Sequence, residues 1–289
     1  VKKDGVKRAS IEKLSTVGCI ILNKLMETIK ACVPIYPKPA VNISGGIDST
    51  IVLHHLREKT NDTIRTYTIG FPETENEFNY ARRVSDHYGT VHTEILIENL
   101  LDKYPEILKH FNKPRFNLWP YFLAKRQLED DVENVYIGEG GDEHFGGYWY
   151  KPKKSYVEHW SSFFEYCLPT YQTIYDMFGL RLIIPLHPNN LNIKTTLPYY
   201  DYSQNKQHLK KTYKDILPKF VTRRRKQNGR FSYWVLWNRE LKQYFPSCHP
   251  RSEDEIRNLL NRWVTREWLR SNSTNPLLAN QKQMLCEKS

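Results

Sequence analysis

The stretch Val41-Asn-Ile-Ser-Gly-Gly-Ile-Asp-Ser-Thr50 constrains the chain most, because it reads as a buried strand that breaks into a glycine turn and restarts as a helix. Ala40, Val41 and Ile43 form the apolar lead-in, and Asp48 to Lys59 carries helix-compatible residues with Ile51, Val52 and Leu56 available for packing. Gly45 and Gly46 let the backbone pass close to an anion with no Cβ in the way. N–H groups at the start of the following helix then point at that anion, assisted by the helix dipole. The spacing is neither that of a P-loop ending in Gly-Lys-Ser/Thr nor that of the Gly-x-Gly-x-x-Gly dinucleotide fingerprint. The loop holds no lysine. Asp48 stands out instead, and a carboxylate beside a polyphosphate makes sense mainly as a magnesium ligand. An ordinary helix-capping turn would account for Ser-Gly-Gly alone. A chance Ser-Gly-Gly-x-Asp-Ser in a chain this long is on the order of 10⁻³ or less.

Around this cradle, strands and helices alternate. A helix is expected from Ser10 to about Cys32, with Ile11, Leu14, Ile21, Leu25 and Ile29 on one stripe. Further strands are expected at Ile64–Ile69, Val91–Ile97 and Asn134–Ile137, with helices over Glu75–His87, Asn99–Phe111 and Leu118–Glu129. Such alternation implies an α/β fold with a doubly wound parallel sheet. Ligands in such sheets sit beyond the carboxyl ends of the strands. Past Tyr150 the strand signal fades. Leu182–Leu186 could be short and extended, Gln207–Ile216 looks helical, and a last helix begins where Ser252 and Glu255 make a capping-box pattern. Ile256, Leu259, Leu260, Trp263 and Val264 share one face of that helix.

The expected fourth strand runs into Gly138-Glu-Gly-Gly-Asp-Glu-His-Phe-Gly-Gly-Tyr148, a glycine-rich loop with acidic residues. If Asp48 and Asp142 reach one cation, magnesium is held between two strand ends and bridges phosphates. Stabilising charge on a departing phosphate group would be the main task of such a site. Ser44, Ser49, Thr50 and the loop N–H groups would hold that group, and a lysine brought from a distant part of the chain would help most.

The first motif resembles the signature of the N-type ATP pyrophosphatases, the PP-loop enzymes that include asparagine, GMP, NAD and argininosuccinate synthetases. Gly-Glu-Gly-Gly-Asp-Glu with Phe-Gly-Gly-Tyr narrows the likeness to the asparagine synthetase synthase domain, since GMP and NAD synthetases do not share it. The likeness extends through Thr68-Ile-Gly-Phe71, Ala81-Arg82 and His87-Tyr-Gly-Thr-Val-His92, and resumes at Leu217-Pro218 and Arg223-Arg-Arg-Lys226, covering roughly residues 36 to 235. It implies carboxylate activation by adenylation with loss of pyrophosphate and then amide formation, an adenine-nucleotide α-hydrolase-like sheet, ATP and Mg²⁺ as cofactors, and Ser44, Gly45, Gly46, Asp48 and Ser49 as the pyrophosphate loop. It makes Asp48 and Asp142 the metal ligands and sets Ile43, Ile69 and Gly138 around the adenosine. By the same likeness Lys226 is the pyrophosphate-binding lysine. Glu139 is the residue that takes a proton from attacking ammonia, where β-lactam-forming relatives carry tyrosine. Two departures stand out. The family carries an N-terminal glutaminase domain opening on a catalytic cysteine, whereas this chain starts at Val1 and its early residues read as a helix. The nitrogen donor is therefore open: free ammonia, a separate glutaminase subunit, or an amine. The likeness makes aspartate the first guess for the small-molecule carboxylate substrate, but where the family reads Pro-Phe-Leu-Asp this chain has Pro185-Leu-His-Pro188, a departure that removes an acid and points to a changed substrate pocket.

The remaining composition bounds the readings. A formal charge of +11 favours anionic partners and keeps a nucleic-acid acceptor such as tRNA in view. The alternative is thus an adenylating PP-loop enzyme acting on a peptide, another small acid or tRNA. A non-enzymatic nucleotide-binding protein would need none of Asp48, Asp142 and Lys226. Five scattered cysteines without a Cys-x-x-Cys pair point to a reducing compartment, hence a cytoplasmic protein, and no span suits a membrane. The expected organisation is an N-terminal helix over 1–35, the ATP pyrophosphatase domain over 36–240 and a C-terminal helical extension over 241–289.

Overall fold

The computed structural model describes residues 23–74, 76–147, 156–191, 206–224 and 232–273. Five parallel strands, β1 (Pro39–Asn42), β2 (Arg65–Gly70), β3 (Val91–Leu96), β4 (Asn134–Tyr136) and β5 (Arg181–Ile183), form one sheet in the order β3-β2-β1-β4-β5. The chain winds outward from β1 in one direction and then, through β4, in the other. The carboxyl ends of β1 and β4 therefore flank the point where strand order reverses, which is where open α/β sheets bind ligands.

Side chains alternate across the sheet, so neighbouring residues feed two separate cores. Ala40 of β1 and Val135 of β4 face a core built with α4 (Tyr104–Leu108), α5 (Pro120–Glu129), α7 (Leu168–Met177) and the long helix α8 (Glu253–Ser271). Val41 and Tyr136, one residue further on, face the other core, made with α1 (residues 23–31), α2 (Ile47–Lys59), α3 (Phe78–Tyr88) and the chain around Leu209 to Val221. Helices on both faces leave β1 and β4 buried on each side, while the edge strands β3 and β5 are partly exposed. This is the doubly wound arrangement that the sequence pattern implies.

Several helices are shorter than their sequence pattern suggests, for local reasons. The acidic helix, expected from about Glu75, is seen from Phe78, Glu75 itself lying outside the described residues. The side chain of Asn76 accepts from the Phe71 N–H (2.7 Å) and donates to the Phe71 carbonyl (3.1 Å), closing the preceding segment into a loop. Of the helix expected over Asn99–Phe111, a 3₁₀ turn at Leu101–Lys103 and α4 form. The Glu240 carboxylate accepts from the Leu101 N–H at 2.6 Å and so caps the start of the turn with a group from far along the chain. Helix α5 starts with Pro120 as its first residue, where a missing N–H costs nothing. At α8 the Ser252 hydroxyl accepts from the Glu255 N–H as expected, but the Glu255 carboxylate accepts from the Arg251 N–H instead of closing back on Ser252. Trp263 and Trp268 of this helix are fully buried, and Trp268 donates from its indole N–H to the Phe111 carbonyl at 2.8 Å. The helix expected from Ser10 is seen over residues 23–31, its earlier part lying outside the described residues. No helix among the described residues is long and apolar enough to cross a membrane.

Candidate active site

A cavity of about 900 Å³ opens where β1 and β4 end. Its floor is the cradle. Gly45 takes φ +69°, and a Cβ there would lie 2.5 Å from the Tyr80 Cβ, so a side chain at this position is excluded by both backbone and neighbour. Gly46 caps α2 without a side-chain hydrogen bond, and the first-turn residues Ile47, Asp48 and Ser49 line the cavity. The loop is held by its own hydroxyls: Ser44 Oγ accepts from the Gly46 N–H at 3.3 Å, and Thr50 Oγ1 donates to the Gly46 carbonyl at 2.7 Å. Arg224, which also lines the cavity, buttresses it, donating at 2.7 Å to both the Ser44 carbonyl and the Glu77 carboxylate while its guanidinium lies 3.9 Å over the Tyr80 ring.

Against this loop packs the turn after β4. Gly141, the first residue of α6 (Gly141–Phe145), must lack a side chain because a Cβ would fall 2.5 Å from the Asp48 Cγ. That close approach brings Asp48 and Asp142 to one point, and the ammonium of Lys206 occupies it. Lys206 Nζ pairs with Asp48 Oδ2 and lies 2.5 Å from Asp142 Oδ1, with only 6% of its side chain exposed. The backbone of Lys206 is pinned to the same turn, its N–H donating to the Phe145 carbonyl at 2.8 Å. Burial alone would lower the lysine pKa, but the charges of Asp142 and Asp48 outweigh it and hold the group above its ordinary value, hence protonated. Lys210, one helical turn on, also lines the cavity, and burial together with the charge of Lys206 lowers its pKa.

Glu139 enters the cavity from the same turn. Tyr171 donates its hydroxyl to Glu139 Oε1 at 3.2 Å, and the Cys167 thiol approaches Oε2 at 3.8 Å. Burial, then the charge of Glu139, pushes both the Tyr171 hydroxyl and the Cys167 thiol well up from their usual values, so both remain protonated donors to the carboxylate. Tyr171 is itself fixed by stacking on Tyr175 and by an edge contact with Trp119.

Of the residues singled out in the sequence, Ile43, Ser44, Gly46, Asp48, Ser49, Ile69, Gly138, Glu139 and Asp142 line this one cavity. Gly45 and Thr50 lie behind the loop; Thr50 is fully buried, with its hydroxyl turned to the backbone. Lys226 lies outside the described residues, although its near neighbour Arg224 lines the cavity. Sequence reasoning missed Lys206 and Tyr171. Neither belongs to a motif, and only the requirement for a distant lysine hinted at the first.

A carboxylate pair is thus gathered beside a glycine cradle, with a positive charge between the two acids, at the strand-order reversal of a parallel α/β sheet. The chain matches the asparagine synthase family over residues 23–182, and it belongs to that family. Among curated relatives, "Putative asparagine synthetase (glutamine-hydrolyzing) 2" of Methanocaldococcus jannaschii is 34% identical over 114 residues, 37% of this chain and 22% of that protein. An asparagine synthetase (glutamine-hydrolyzing) of Zea mays is 32% identical over 138 residues, 41% of this chain and 23% of its own. The matched stretch thus spans under a quarter of either relative. Among solved structures, NMN synthetase from Francisella tularensis is similar at 14% identity and TM-score 0.40, over 86% of this chain and 93% of that one.

Proposed function

We propose that the protein is an ATP-dependent carbon–nitrogen ligase that adenylates a small carboxylate, aspartate being the first candidate, and passes the acyl group to ammonia or an amine. One observation carries this reading: Asp48 and Asp142, from two different strand ends, converge on a single cationic point beside the glycine cradle. That point suits magnesium. Two hard carboxylate oxygens face it, and a cation, the Lys206 ammonium, already stands there. Asp48 and Asp142 would hold the ion, which would supply neutralising charge for a polyphosphate. Lys206, paired with both carboxylates, adds a positive charge of the kind the cradle lacks.

In the first step a substrate carboxylate oxygen attacks the α-phosphorus. The bond from that phosphorus to the β-bridging oxygen breaks, and pyrophosphate leaves with its electron pair. The first turn of α2, Ser49 and the cationic side chains Lys206, Lys210 and Arg224 stabilise the charge that accumulates there. In the second step the amine attacks the acyl carbon, AMP departs, and Glu139 accepts the proton that the amine releases. Tyr171 holds the Glu139 carboxylate in place for that transfer. Ile43, Ile69 and Gly138 would border the adenosine, and Lys226, from the basic run that includes Arg224, would join the pyrophosphate site.

The experiment is a measurement of pyrophosphate release from ATP and magnesium with a panel of carboxylates, each with and without ammonia. Aspartate-dependent release with formation of asparagine supports the first reading. The +11 charge favours a second one, in which the acceptor is tRNA or another polyanion. Release that depends on tRNA and weakens steeply with salt would select that alternative.

A further inference from the structure

We propose that His54, His55 and Glu58, at the far end of α2 from Asp48, form a binding site for a divalent transition metal of the zinc class. The three side chains bring one ligand atom each to within 4.8 Å of one another. His55 Nδ1 is 2.8 Å from Glu58 Oε2, and His54 Nε2 is 3.7 Å from the same oxygen. Two imidazoles and a carboxylate are a donor set for zinc, cobalt, nickel or copper, whereas magnesium prefers oxygen alone.

The surroundings are those of a metal site and not of an incidental cluster. Each histidine turns its other ring nitrogen to a tyrosine hydroxyl: His55 Nε2 lies 2.7 Å from Tyr213 and His54 Nδ1 lies 3.4 Å from Tyr88. Such outer partners fix the tautomer and the ring plane of a ligating imidazole. Lys30 places its ammonium 3.4 Å from the Glu58 carboxylate, a surface contact that a bound metal can replace. Burial is graded, with His55 1% exposed, His54 15% and Glu58 38%, so the site has a rigid inner ligand and an open outer side for entry and for a fourth, solvent ligand. Asp48 and Glu58 are ten positions apart on one helix, about 15 Å along its axis, so this site is separate from the catalytic cleft.

Zn²⁺ binding to the full chain, measured by equilibrium dialysis with metal quantitation, and the visible d–d spectrum of the Co²⁺ form test the proposal. The expected result is one tightly held equivalent that is weakened more than tenfold in His54→Ala and in Glu58→Gln, both partly exposed positions, and is kept in Asp48→Asn. Equal Zn²⁺ binding by wild type and His54→Ala would overturn it. So would binding lost in Asp48→Asn and kept in His54→Ala, which would assign the metal to the catalytic carboxylates.

Discussion

Asp142 meets the buried ammonium of Lys206 at 2.5 Å, and the same ammonium pairs with Asp48, so one positive charge serves two carboxylates. This unequal sharing makes the three residues respond differently to substitution. Lys206→Met leaves two carboxylates facing one another without the ammonium and should cost about 3 kcal/mol of stability. Asp48→Asn or Asp142→Asn leaves a single ion pair and should cost much less, while abolishing magnesium-dependent pyrophosphate release. Chemical denaturation of the three variants, with and without 10-fold changes in Mg²⁺, reads both effects. Magnesium should stabilise Lys206→Met more than it stabilises the wild type.

Gly141→Ala should abolish adenylation, because the added Cβ would fall 2.5 Å from the Asp48 Cγ and force that carboxylate out of place. The stability cost should be about 1–3 kcal/mol, as for other overpacked sites. Gly89→Ala is the control. That residue has φ +60° but open space around it, so the change should cost about 1 kcal/mol and leave the turnover rate per folded molecule unaltered.

Tyr171→Phe removes the 3.2 Å hydrogen bond to Glu139 without emptying the pocket. The amide-forming step should slow by one to two orders of magnitude, while pyrophosphate release in the first step and the KM for ATP stay close to wild type. Single-turnover measurements that separate AMP–acyl formation from its consumption distinguish the two steps.

These predictions also mark what was legible in the sequence. The strands, their parallel winding and both glycine turns could be read because each is a local pattern: apolar runs, paired glycines and a helix start within ten residues. Asp48, Glu139 and Asp142 were legible for the same reason. Lys206 was not, because its role comes from a fold-back that sets an isolated lysine against residues 64 and 158 positions earlier, and no periodicity records such a meeting. Tyr171 was hidden in an apolar helix face, where a tyrosine looks like packing. Helix starts failed wherever a remote or loop side chain took over a backbone partner, as Asn76 does at Phe71 and Glu240 does at Leu101.

His92 supplies a pH dependence. Burial lowers its imidazole from the ordinary 6.5, against the opposing charge of Glu94 and a contact with Thr66, while Arg82 adds to the lowering. The unfolded chain therefore takes up a proton near 6.5 that the folded chain declines. The contribution of His92 is fully present above that pH and is lost as the pH falls towards the folded-state value. Denaturation midpoints of the wild type should drop between pH 6.5 and 5, and those of His92→Gln should drop less.

The central claim is that ATP is cut between its α- and β-phosphorus atoms where Asp48 and Asp142 meet. Phosphorus NMR of the reaction products with ATP, magnesium and a productive carboxylate tests it most directly. The account predicts AMP and pyrophosphate in equal amounts from the wild type and neither from Asp142→Asn. Formation of ADP and orthophosphate, or undiminished AMP from Asp142→Asn, would contradict it.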